Sequence, residues 1–147
     1  MIQRIQSLYL LISAILVAFL FVLPIAEILS GGVIYQFYLQ GVSLDGVIKN
    51  SGLILSILTV VVFLGHGFAV LSYKNRTRQI RIIVITILLL LGVVGMFYYF
   101  AFSTINEPKV SFNMGAVFPF VAIILDYMAI RAINKDEALI RSIDRIR

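Results

Sequence analysis

Two long apolar runs, Leu53–Leu71 and residues 82–102, are separated by Ser72-Tyr73-Lys74-Asn75-Arg76-Thr77-Arg78-Gln79-Ile80-Arg81, which carries four basic residues and no acid. Each run is long enough to cross the roughly 30 Å hydrocarbon core of a bilayer, which takes about 20 apolar residues as a helix. Lys and Arg beside such helices resist translocation. The basic stretch is therefore expected on the cytoplasmic side, and it orients every other segment. Composition agrees: 61% of the 147 residues are hydrophobic and 13% charged, against about 25% charged in soluble domains. Such a chain cannot cover a globule with polar surface. With no Cys, disulfides, thiolate chemistry and Cys-based metal sites are excluded. The net charge of +5 fits retained loops beside anionic headgroups.

Arg4 precedes an almost unbroken apolar run over residues 7–23. A signal peptide is the competing reading. The run is longer than a usual signal core, and Pro24-Ile25-Ala26-Glu27 offers no small-x-small cleavage pattern. A first span over about 5–28 is expected, with Pro24 in its last turns and Glu27 reaching headgroup water. Ser30-Gly31-Gly32 would end it. Residues 33–40 are aromatic and β-branched, as in a short strand or a segment lying along the interface. Residues 41–50 read as a polar return with Asp45 and Lys49.

The second and third spans are expected over 51–73 and 80–102. Gly92-Val93-Val94-Gly95 allows close helix contact but lacks the GxxxG spacing. An outer loop over 103–114 holds Glu107, Pro108 and Lys109, and its Lys109–Phe112 portion could pair with 33–39 as a small cap. Asp45, Lys49, Glu107 and Lys109 read as solvated charges rather than an active site. The fourth span, 115–133, has Pro119 near its start. In the tail, 134–147, Leu139, Ile140, Ile143 and Ile146 recur at helical spacing, with Arg141, Asp144, Arg145 and Arg147 on the other face. That is a basic amphipathic helix able to lie on the inner leaflet, or a helical continuation into the cytoplasm.

Arg4, Lys74, Arg76, Arg78, Arg81, Arg131, Lys135, Arg141, Arg145 and Arg147 fall on one side of this arrangement, and only Lys49 and Lys109 on the other. Ten against two places both termini in the cytoplasm by the positive-inside rule. The expected fold is an all-α integral membrane protein: a four-helix transmembrane bundle, one domain over 1–147, with a short amphipathic C-terminal helix.

The opening Met1-Ile2-Gln3-Arg4-Ile5-Gln6-Ser7-Leu8-Tyr9-Leu10-Leu11 and the closing residues 131–147, from Arg131-Ala132-Ile133-Asn134-Lys135-Asp136-Glu137 to Arg145-Ile146-Arg147, resemble an uncharacterised Bacteroidota family, domain of unknown function 4293. Its members are small proteins expected to cross the membrane four times. The resemblance implies the inner membrane of a Gram-negative cell and brings no activity, ligand or catalytic residue.

His66 and Asp126 are the informative polar residues inside the spans. Each lies seven residues from the cytoplasmic end of its span, roughly 10 Å deep at 1.5 Å per residue. Ser13 and Thr86 fall near the same level, so the four form a candidate polar layer. Gly65 and Gly67 flank His66 and would admit a close backbone. A His and an Asp in spans can mark a proton or ion path. They can equally tie helices together, and one such pair does not relay a proton across about 30 Å. Neither half shows the matched broken helices of transporters.

The chain has no Gly-x-Ser-x-Gly elbow, phosphate loop or His-Glu-x-x-His pair, and its single His excludes a His-rich metal site. An enzyme is not expected, nor a cofactor. The tail has no aromatic residue on which bases could stack, which argues against sequence-specific nucleic-acid binding. The expected partners are anionic headgroups and other membrane proteins. The expected role is a non-catalytic accessory or scaffold subunit of a larger inner-membrane complex, docking through its basic face. A small transporter using His66 and Asp126 is the alternative.

Overall fold

A computed structural model describes residues 3–44, 46–103 and 109–144 of the chain. Asp45, Glu107, Pro108, Arg145, Ile146 and Arg147 lie outside the described residues. Among the described residues the order is α1 (Gln3–Phe19), β1 (Ala26–Ser30), β2 (Val33–Tyr38), β3 (Gly41–Leu44), β4 (Val47–Ser51), α2 (Leu53–Leu71), α3 (Arg76–Ser103), β5 (Lys109–Phe112), a 3-10 turn (Met114–Val117) and α4 (Phe118–Asp144). The chain is mostly helical but not all-α. Three apolar stretches, Leu53–Leu71, Arg76–Ser103 and Met114–Ala138, are long and apolar enough to cross a membrane.

The first helix is shorter than the 5–28 span. It ends at Phe19 after 17 residues, about 26 Å of helix. Leu20, Phe21 and Val22 donate their amides to the carbonyls of Val17, Ala18 and Phe19, three residues back, which tightens the last turn. Pro24 follows. It has no amide to donate and pushes Leu23 toward extended backbone. Glu27 therefore sits in a strand, not at a helix end.

The strands form one antiparallel sheet in the order β4-β3-β2-β1-β5. In β1, Ala26 and Ile28 are buried while Glu27 and Leu29 are exposed, the period-two alternation of a strand with one covered face. Gly31 and Gly32 take φ of 58° and 80° between the paired Ser30 and Val33. Two consecutive positive φ values are what a type I′ hairpin turn requires. These glycines make a hairpin instead of ending a helix. The expected cap thus exists but is larger, and its pairing differs. β5 pairs with β1, placing Val110 opposite Ile28, while Tyr35 of β2 faces Ile28 from the other side. Phe37 and Val110 are not neighbours across a ladder, because β1 lies between them. Residues 41–50 contribute two further strands in place of a polar return.

The sheet closes one end of the helices. Phe37 meets Phe97 edge-on at 6.3 Å and stacks on Phe100 at 6.2 Å, and Tyr98 packs on Phe112 of the edge strand at 5.4 Å. Two glycines fit where backbones crowd. A side chain at Gly52 would come within 2.7 Å of the Leu39 carbonyl, and one at Gly115 within 2.7 Å of the Pro24 carbonyl. Gly92 and Gly95 do not play this part: the first would make ordinary contact with Leu58 and the second faces open space.

The helices pack in a ring, α1 on α2 and α4, and α3 on α2 and α4. Their buried residues recur at alternating steps of three and four: Gln6, Leu10, Ser13, Val17 and Leu20; Leu55, Thr59, Val62, His66 and Ala69; Gln79, Ile83, Thr86, Leu90, Val93 and Phe97; Ala122, Asp126, Ala129, Ile133 and Asp136. This is the seam of left-handed helix packing, in which each inward side chain fills a hole on its neighbours. Pro119 does not interrupt α4. It lies in the first turn, where the missing amide proton would have had no partner.

At the end away from the sheet, Asn75 caps α3, accepting the Arg78 amide on Oδ1 at 3.4 Å. The tail is not a separate helix, since α4 runs unbroken from Phe118 to Asp144. Of the two expected forms it takes the helical continuation.

Candidate functional site

The polar layer assembles around His66, which α2 delivers to the interior with Ser13 of α1 and Asp126 of α4, all three at 0% exposure. The imidazole Nε2 lies 3.1 Å from each carboxylate oxygen of Asp126 and 2.8 Å from Ser13 Oγ. Nδ1 lies 2.9 Å from the Val62 carbonyl, one turn back on α2. Ser13 Oγ donates to the Ala122 carbonyl at 3.3 Å. Three helices remote in sequence are thus joined by side chains at one level.

Thr86 shares the level but not the network. Its hydroxyl donates to the Ile83 carbonyl of its own helix at 2.7 Å. Its methyl instead faces Gly65, where a Cβ would lie 2.5 Å from Thr86 Cγ2. Gly65 therefore admits α3 beside His66, whereas Gly67 faces open space.

Hydrogen-bond chemistry fixes the proton count. A carbonyl oxygen only accepts, so the contact with Val62 requires a proton on Nδ1. A carboxylate also only accepts, so the contact with Asp126 requires a further proton between Nε2 and the carboxyl group. That proton makes either an imidazolium–carboxylate pair or an imidazole–carboxylic acid pair. Both are neutral overall. In the charged form Nε2–H reaches Asp126 and Ser13 together, the serine donates onward to Ala122, and every partner is used.

The site is enclosed on both sides. Leu10, Ala69, Ile83 and Ala129 cover it toward the basic end, and Val17, Val62, Leu90 and Ala122 toward the sheet, all at 0% exposure. Among the described residues no group of three His, Cys, Asp or Glu could hold a metal ion.

A second polar level went unnoticed in the sequence. Gln6 Nε2 donates to Asp136 Oδ2, joining α1 to α4 near the basic end, and buried Gln79 donates to the Ala69 carbonyl at 3.0 Å. The signal was present: Gln6 precedes Ser13 by seven residues and Gln79 precedes Thr86 by seven, one heptad each.

The basic residues divide by exposure. Lys74, Arg78, Arg81, Arg131 and Lys135 are exposed and Arg76 is half-buried, with the Lys74 ammonium 5.9 Å from the Tyr73 ring centroid. Arg4 lies in the first turn of α1 and Arg141 near the end of α4. Lys49 and Lys109 both belong to the sheet. Each helix has one end at the sheet, so the topology sets the two lysines opposite the other basic positions that are described.

A mostly helical chain with three helices long and apolar enough to cross a membrane, a terminal antiparallel sheet and a buried Ser–His–Asp layer is compatible with a helical membrane protein. The chain belongs to the family described as Domain of unknown function (DUF4293), whose model matches residues 2–146. Neither curated proteins nor solved structures yield a match.

Proposed function

We propose that this chain is a non-catalytic accessory or scaffold subunit of a larger inner-membrane complex. Four helices cross the bilayer with both termini in the cytoplasm, and α1 is matched to it by the turns through Leu23. The basic end docks to its partner at the cytoplasmic face, and the sheet caps the opposite surface. The observation that carries this reading is the enclosure of the His66–Asp126 pair between two apolar layers. A buried pair of this kind ties helices together, and among the described residues the apolar layer of Leu10, Ala69, Ile83 and Ala129 separates it from the Gln6–Asp136 level toward the basic end. The outward surfaces support a partner as well as lipid, since Leu64, Phe68, Leu88 and Ile124 are all more than half exposed.

The test is gentle detergent extraction, native mass measurement and identification of co-purifying chains. A stoichiometric partner supports the subunit. A homogeneous homo-oligomer without one contradicts it and favours the second reading, a small proton- or ion-conducting protein. That reading draws on the proton held between Nε2 and the carboxylate. Asp126→Asn separates the two, because it abolishes proton flux through a conductor and leaves assembly of a scaffold in place.

A further inference from the structure

Near the basic end a groove of about 400 Å³ runs between α1 and α4, with Ile5, Met128, Arg131, Lys135 and Asp136 among its lining residues. Its chemistry is divided. Ile5 and Met128 supply an apolar floor. Arg131 and Lys135, one helical turn apart, are exposed and make no ion pair with a described residue. Asp136 is their opposite in both charge and burial: it is 6% exposed, its Oδ2 is held by Gln6, and its Oδ1 is buried with no hydrogen-bond partner among the described residues. A buried carboxylate oxygen without a donor is costly, and Asp136 lines the groove, so a small rotation of its carboxylate would bring Oδ1 to a donor held there.

We propose that this groove binds one phospholipid whose headgroup carries a primary ammonium, an aminophospholipid of the ethanolamine type. The inference rests on the membrane reading given above. The phosphate sits between Arg131 and Lys135, which match its charge and donors. The ammonium donates to Asp136 Oδ1, and an acyl chain follows Ile5 and Met128 toward the hydrocarbon. A plain anionic surface would satisfy the two cations and leave the carboxylate facing negative charge. A choline headgroup keeps the positive charge but has no N–H to donate. Asp136 is thus the residue that sets the choice of headgroup, and the two cations set affinity.

The experiment uses the full chain, purified in mild detergent and incubated with equal amounts of ethanolamine, choline and glycerol phospholipids of identical acyl chains. Native mass spectrometry reads the lipid retained. The chain is expected to hold the ethanolamine lipid about tenfold over the choline lipid, which corresponds to about 1.4 kcal/mol. Asp136→Asn brings that ratio to about one. Arg131→Gln with Lys135→Gln lowers retention of both lipids without changing their ratio, and because both side chains are exposed this variant tests the site even if Asp136→Asn fails to fold. Equal retention of ethanolamine and choline lipids overturns the proposal, as does preference for the glycerol lipid. Recovery of the chain from cells without detergent contradicts the membrane reading itself, an outcome distinct from either lipid result.

Discussion

His66 and Asp126, 60 residues apart in sequence, meet with the imidazole Nε2 3.1 Å from both carboxylate oxygens, and neither side chain is exposed. The symmetry of that contact makes the pair a single unit sharing one proton, beyond the one that Nδ1 directs to Val62. Removing one partner leaves the other buried and unmatched, which costs about 3–5 kcal/mol in buried pairs. We expect His66→Ala and Asp126→Ala each to lower thermal stability in detergent by about that amount, and the double variant to lose little more than either alone. Strictly additive losses in this cycle would show that the contact contributes nothing.

Asp126→Asn is expected to be much milder, at about 1 kcal/mol, the worth of an ordinary hydrogen bond. The asparagine amide donates to Nε2 while Nδ1–H keeps Val62, so the helix contact survives with one neutral amide oxygen left short of a donor. A loss as large as that of Asp126→Ala would mean that charge, not hydrogen bonding, holds the helices.

Gly65→Ala places a Cβ 2.5 Å from Thr86 Cγ2, and overpacking of this kind costs about 1–3 kcal/mol. Thr86→Ser removes the methyl and keeps the hydroxyl bonded to Ile83, so the double variant should recover most of the loss. Gly67→Ala meets open space and should be close to neutral. Thermal unfolding of the four proteins checks the set.

The sheet register is testable with paired cysteines, against no background since the chain has none. Leu29→Cys with Lys109→Cys, directly opposed across β1 and β5, should oxidise readily. Gln36→Cys with Ser111→Cys should not. Both face Glu27 from opposite sides, about 10 Å apart across two strand spacings and beyond the reach of a disulfide.

The helices were legible because their signal is length. For α2, α3 and α4, runs of about 20 mostly apolar residues between polar loops leave few alternatives, and counting inward from the ends of the spans brought Ser13, His66 and Asp126 to one level. Thr86 was placed at the right level but not in the network, since threonine in a helix can satisfy its hydroxyl on the preceding turn. The sheet was hidden by continuity: Ile25 to Leu29 extend the apolar run of α1, and only Pro24 marks the change of period. Gly31-Gly32 before a β-branched run was the hairpin signal, outweighed by the expectation that a span of 5–28 needed an end. Asp136 escaped notice because the fourth span was closed at Ile133, whereas α4 carries the same seam one step further to meet Gln6.

The central claim is that the helices cross a bilayer with the basic end inside, and single cysteines at Ile34 in β2 and Lys74 in the loop after α2 test it most directly. Both positions are exposed and lie at opposite ends of the helices. Treating intact cells with a membrane-impermeant maleimide should label Ile34→Cys at once and Lys74→Cys only after the membrane is opened. Equal labelling of the two before lysis, or labelling of Lys74→Cys alone, would contradict the account.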